Sequence, residues 1–376
     1  MISEKFNFKK QFVLGLLFLI AFLVSIEIIS KEYHYSNECS FIKSDEYKDL
    51  DYSYKRKMCN DYLDLEIFTY PELHMTPNQH FDHYNINNNG FRGPEFNKIK
   101  ESGTFRIIVV GDDSVFGLSS TSDVTTIPGY LQKKFNQEIN YSKKVEVINA
   151  GIPSAFSLTE TQLIKNHLID YQPDLFIIYT GANDLNRSYE LSKDLQKKGI
   201  ISQLLEKAEK YFPYYKTLTI LPKLITYVEN FFQSNLLRHD ISKVSKSETQ
   251  LNNLSDKISI WEERLKDVCN LGEKSGFETV VILQPIIATS NKSLSSYEKE
   301  EQKIRSIATP GELNAYDMYA KKLNELNECV FKDDLRSVFD ERNESIYMPY
   351  HAVYVGDRGN EIISNEIYEI IKPLVK

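Results

Sequence analysis

Clustered positive charge is missing from this chain. Its 376 residues carry 45 Lys and Arg against 53 Asp and Glu, a formal net charge of -8, which excludes the basic face that phosphate-backbone recognition needs. Cysteine is scarce as well, four residues at positions 39, 59, 269 and 329, with no C-x-x-C pair and no neighbouring His pair; a closed zinc site is thereby excluded. No internal repeat is present, so solenoid and propeller architectures drop out. What remains is 41% hydrophobic residues, ample for a packed core and far from the composition of a disordered chain.

The first positive signal lies at the N-terminus. Lys5, Lys9 and Lys10 precede an apolar run at 12–29 that is broken only by Gly15, Ser25 and Glu27, and the flank beyond it is acidic at Glu32, Glu38, Asp45 and Glu46. Positive charge on the near side predicts a single-pass membrane anchor, with residues 1–11 in the cytoplasm and the remaining chain outside. A cleaved signal peptide is the competing reading, and the absence of a small-x-small cleavage site favours the anchor. In that compartment an even cysteine count reads as two disulfides rather than four separate thiols. Of the three pairings, Cys39 with Cys59 and Cys269 with Cys329 closes the shortest loops. Asn140, Asn186, Asn253, Asn291 and Asn343 each begin an N-x-S sequon, a tripeptide common by chance in such a chain.

Residues 30–100 are Tyr-rich and polar without a sustained period, which predicts an irregular preface packed against a main domain at 101–376. The preface ends in NINNNGFRGPEF (85–96), where Gly90 and Gly93 mark a tight turn around Phe91 and Arg92. The main domain alternates. Apolar runs predict strands over 105–111, 145–151, 173–181 and 278–284, with a short fifth strand near Val338. Helical spacing falls at 127–135, 158–168, 261–272, 315–330 and 361–371, the last after a turn at 356–360, and a looser helical insertion occupies about 186–256. Strand and helix in alternation predict an α/β fold: a three-layer α/β/α domain with a mostly parallel, five-stranded, flavodoxin-like sheet.

Three polar loops leave the carboxyl ends of the first three strands: Gly111-Asp112-Asp113-Ser114, Asn149-Ala150-Gly151 and Gly181-Ala182-Asn183-Asp184. In a parallel sheet they converge on one crevice. A glycine N–H and an Asn amide aimed at one point are what an oxyanion needs. With the N-x-x-G-F-R-G lead-in, this order of blocks resembles the SGNH/GDSL hydrolases over residues 85–376. The resemblance implies ester hydrolysis by Ser, His and Asp, with Gly151 and Asn183 at the oxyanion positions and no metal or cofactor. The expected ligand is an acyl ester or glycan at the cell surface, where the anchor would hold the domain.

The triad positions depart from that family. Aligned without gaps, the Gly-Asp-Ser elbow falls on Gly111, Asp112 and Asp113, so Asp stands at the nucleophile position and Ser114 is one residue late. Counted back from Gly359-Asn360, the base position holds Tyr354 and the Asp position holds His351. Tyr, with an ordinary pKa near 10, is a poor base at neutral pH, and the expectation is a catalytically degenerate binding derivative. Two active alternatives stay open: Ser114 as nucleophile with His351 as base, which needs length changes in two blocks, or Asp113 attacking alkyl carbon with His351 activating water. His80 and His83 flank Asp82 in a polar loop, a weak metal pattern that is more often solvated.

Overall fold

The computed structural model describes residues 8–68, 73–138, 141–186, 246–299, 310–349 and 353–375. The chain divides into two compact units. One comprises Met1–Cys39 with Glu190–Lys246, the other Ser40–Tyr189 with Ser247–Lys376. In the first, helix α1 (Phe8–Glu38) contains an apolar stretch, Phe12–Ser30, long enough to cross a membrane and not covered by protein.

The second unit holds a five-stranded sheet made of β5 (Thr104–Gly111), β6 (Lys144–Gly151), β7 (Leu175–Thr180), β8 (Glu278–Leu283) and β9 (Phe331–Asp334). The order is β6-β5-β7-β8-β9, and every pair is parallel. The expected flavodoxin-like sheet is therefore present. All eight residues of β5 are buried, as the apolar run 107–110 requires of a central parallel strand, and Arg106 within it is paired with Glu146 at 2.6 Å. On one face Phe105, Ile107 and Val109 pack with Ile127, Leu131 and Phe135 of α4 (Ile127–Gln137) and with Ile363 and Ile367 of α9 (Asp357–Ile371). On the other, α5 (Ser157–Asn166), α7 (Lys246–Ser275) and α8 (Pro310–Asn324) complete the layer, with Trp261 set edge-on to Tyr319.

Several boundaries move. The fifth strand lies at Phe331–Asp334, ahead of Val338, because α8 stops at Asn324 rather than 330. The turn expected at 356–360 is instead the N-cap and first turn of α9. Most of the expected insertion, 187–245, lies outside the described residues. Cys269 and Cys329 form a disulfide, and Cys39 and Cys59 are disulfide-bonded as well, leaving no free cysteine.

The preface is more regular than its sequence suggests. It contains α2 (Tyr52–Leu63) and four two-residue strands: β1 (Ile67–Phe68), β2 (His74–Met75), β3 (Gln79–His80) and β4 (Asn85–Ile86). It also satisfies a row of backbone acceptors in the loop after β5. Arg92 donates to Phe116 O at 2.9 Å and Gly117 O at 2.6 Å, Tyr84 Oη to Leu118 O at 2.7 Å, and Tyr47 Oη to Ser119 O at 2.6 Å. Four consecutive carbonyls are capped by three preface side chains. The Arg92 guanidinium also reaches Asp123 Oδ1 at 2.7 Å and His83 O at 2.8 Å, and it lies over the rings of Tyr84 and Phe116.

Because Arg92 is buried and its loss strips a donor from four acceptors at once, Arg92→Ala should cost about 3–5 kcal/mol of stability. Arg92→Lys should recover less than half of that, since one ammonium cannot span four acceptors. Urea denaturation measures both, and a loss below about 1 kcal/mol for Arg92→Ala would show that the loop is held elsewhere.

Candidate functional site

β5 ends at Gly111, where a side chain would strike Tyr179 O and Val115. The chain turns there into α3 (Asp113–Phe116), with Asp112 as N-cap: its Oδ1 accepts the Ser114 N–H at 2.9 Å. Gln284 Nε2, at the end of β8, donates to both Asp112 oxygens at 3.2 Å. Gly117 closes the helix in the left-handed region at φ +80°. Burial, and then the neighbouring Asp113, push the Asp112 carboxyl up to about 7.

Asp113 is buried and faces donors from three other segments. The Ser154 N–H reaches its Oδ2 at 3.0 Å, and the Asn183 side chain and the Tyr354 hydroxyl lie near enough to act on the carboxyl group. Burial raises the Asp113 carboxyl, and these neighbours oppose the rise. Tyr354 moves away from base chemistry: burial first, then Asp113 and Asp112, hold its hydroxyl well above its ordinary value. It is a fixed proton donor. The Asn183 Nδ2 also donates to Ala155 O at 2.8 Å.

Ser114 is buried, and its Oγ meets no hydrogen-bond partner among the described residues. Nothing there activates it as a nucleophile. His351 lies outside the described residues. Gly151 differs from expectation. Its N–H donates to Asn149 Oδ1 at 3.0 Å, and a side chain on it would sit 2.1 Å from Phe116 N, so this glycine serves the close approach of β6 to α3. The backbone donor aimed at position 113 belongs to Ser154, three residues on, held at φ +69°. A backbone N–H leaves little trace in a sequence; a small polar residue after Pro153 is the only cue.

Behind this group a second network locks the Gly-x-Asn-Asp loop. Asp184 accepts the Ser157 N–H at 3.1 Å and the Ser157 hydroxyl at 2.5 Å, and Arg264 Nη1 donates to Ser157 Oγ at 2.9 Å. Burial, and then Asp184, hold the nearby Glu160 carboxyl well above its ordinary value. The two histidines of the 80–83 loop are separated: His80 Nδ1 meets Asn85 Oδ1 at 2.6 Å, and the buried His83 meets Asp61 Oδ2 at 2.7 Å. Among the described residues no group of three or more His, Cys, Asp or Glu can hold a metal ion.

No family model and no curated protein matches the chain. Solved structures do. It is similar to the acetyl xylan esterase AlAXEase, at 12% identity over 71% of this chain and 100% of that one, with a TM-score of 0.40. It is similar to a lipase/acylhydrolase from Enterococcus faecalis at 12% identity (72% and 97% covered, TM-score 0.41) and to the acetylxylan esterase Axe2 from Geobacillus stearothermophilus at 13% (71% and 94% covered, TM-score 0.39). The strand order and the uniformly parallel pairing give this chain a flavodoxin-like α/β/α fold, with the motif loops gathered at the carboxyl edge of the sheet.

Proposed function

We propose that this chain is a membrane-anchored, extracytoplasmic SGNH-type domain that has given up ester hydrolysis and binds, rather than cleaves, a cell-surface glycan or acyl-ester ligand in its crevice. The observation that carries the reading is the Tyr354 hydroxyl, which burial first and then the nearby Asp113 and Asp112 hold well above its ordinary value. The group at the nucleophile position is a carboxyl raised by burial, and the group at the base position keeps its proton. A carboxylate attacking an ester would give a mixed anhydride, with no base on Tyr354 to drive the next step. Ser114, whose hydroxyl is buried and has no partner among the described residues, gives the reading that pairs it with His351 no support there. The anchor is supported by the exposed apolar stretch of α1 behind Lys5, Lys9 and Lys10, and the outside location by the disulfides.

Hydrolysis of p-nitrophenyl acetate by the full chain in detergent tests the catalytic half. The unaltered chain should not exceed the uncatalysed rate. The variant carrying Asp113→Ser, His351→Asp and Tyr354→His should exceed it by at least about 100-fold, the scale of a restored general base. Turnover by the unaltered chain that disappears on Ser114→Ala would overturn the reading. Topology is tested separately in intact cells: protease added outside should digest the main domain, while carbonate extraction leaves α1 in the membrane fraction. A protected domain, or a chain released by carbonate, would refute the proposed location.

A further inference from the structure

The five N-x-S tripeptides, at Asn140, Asn186, Asn253, Asn291 and Asn343, are equivalent as sequence. Structure separates them, because glycan transfer to Asn requires its amide and the hydroxyl two residues on to face one partner together. Extended backbone puts side chains i and i+2 on one face and the residue between them on the other. Residues 291–293 follow that alternation: Asn291 is exposed, Lys292 buried and Ser293 exposed. The inward residue is pinned. Lys292 Nζ donates to Glu298 Oε2 at 2.8 Å, to Glu344 O at 3.0 Å and to Ser293 O at 3.3 Å. Glu298 in turn accepts the N–H groups of Ser295, Ile346 and Tyr347 at 2.9, 2.9 and 3.1 Å. A buried ion pair with its other hydrogen-bonding positions filled fixes which side of the loop faces out. Neither the Asn291 amide nor the Ser293 hydroxyl is hydrogen-bonded to another described residue.

We propose that Asn291 is an N-glycan acceptor, presented with Ser293 by the buried Lys292–Glu298 pair. The other tripeptides lack that presentation. Residues 253–255 are part of α7, and in a helix positions two apart lie about 200° apart around the axis. Asn343 is exposed, but the hydroxyl of its Ser345 meets Ser295 Oγ at 2.7 Å. The tripeptides at 140 and 186 extend outside the described residues. The donor is a lipid-pyrophosphate-linked oligosaccharide. Transfer forms a bond from Asn291 Nδ2 to C1 of the sugar and breaks the bond from C1 to the pyrophosphate oxygen. The lipid pyrophosphate leaves with the electron pair, and the amide proton goes to a base on the transferase. The inference rests on the outside location of the main domain proposed above.

The test is peptide mass spectrometry of the full chain, purified from the membranes of the cells that make it and cut with chymotrypsin. The peptide containing Asn291 should carry added saccharide mass, and those containing Asn253 and Asn343 should not. Ser293→Ala should remove the added mass, as should Asn291→Gln, while Ser293→Thr should keep it because the hydroxyl is restored. Both Ser293 substitutions are at an exposed, unbonded side chain, so the fold is retained in either. An Asn291 peptide without added mass would overturn the proposal, as would modification that survives Ser293→Ala or that falls on Asn343 instead. Protease added outside the same cells separates the two failures. A digested main domain with a bare Asn291 sinks this inference alone, whereas a protected domain with a bare Asn291 sinks the proposed location with it.

Discussion

A strand with neighbours on both edges and helices on both faces has one way to present polar groups: through its carboxyl end. β5 is such a strand, buried over its whole length between β6 and β7. Its exit is constrained further because Gly111 passes against Tyr179 O and Val115 with no room for a side chain. The two residues that follow, Asp112 and Asp113, are therefore placed in the interior as adjacent carboxyls, and a buried carboxyl must be hydrogen-bonded or neutral. The organisation of the site follows from meeting that requirement twice within two residues.

The structure meets it by giving each carboxyl a separate set of donors. Asp112 draws on Ser114 N–H and on Gln284 from the next strand but one, which ties the elbow to the end of β8. Asp113 draws on the Ser154 N–H, with the Asn183 side chain and the Tyr354 hydroxyl nearby. A tyrosine at that last place is chemically consistent with an aspartate at 113, because a hydroxyl that keeps its proton always offers a donor. A histidine would offer one only in the right tautomer or when charged. Asp113 and Tyr354 are in that sense chemically suited to each other.

The strands of the sheet that are buried on both faces were legible as apolar runs, and their loops as Gly-Asp-Asp, Asn-Ala-Gly and Gly-x-Asn-Asp. The fifth strand was misplaced because Phe331–Asp334 is a partly exposed edge strand, and its sequence FKDD has no apolar run to read. Helix α2 was missed for a related reason. Of its twelve residues only Met58, Cys59 and Asp61 are buried, which leaves no apolar stripe. Asp113, Asn183 and Tyr354 could be named as candidates because their side chains would carry the chemistry. Ser154 could not, because its contribution is a backbone N–H that any residue type would supply.

The preface shows the same limit at the scale of a domain. Read by composition, 30–100 is an appendage to a domain starting at 101, yet the compact unit begins at Ser40. The reason lies in the carbonyls of residues 116–119, which follow α3 and are turned away from any strand partner. Gly117 O also accepts the Ser120 N–H at 2.9 Å and Phe116 O the Asn149 Nδ2 at 3.4 Å, but a buried carbonyl left without a donor costs about 1–3 kcal/mol. Arg92, Tyr84 and Tyr47 reach all four. Tyr47 also accepts the Asp357 N–H at 3.2 Å, and Glu46 accepts the Arg358 N–H at 2.8 Å, so the same segment caps α9, the helix that follows Tyr354. Burial then holds the Glu46 carboxyl up at about 7. Both ends of the Asp113–Tyr354 pair are consequently braced from the preface, and a chain begun at residue 101 would lack the groups that hold its elbow in place.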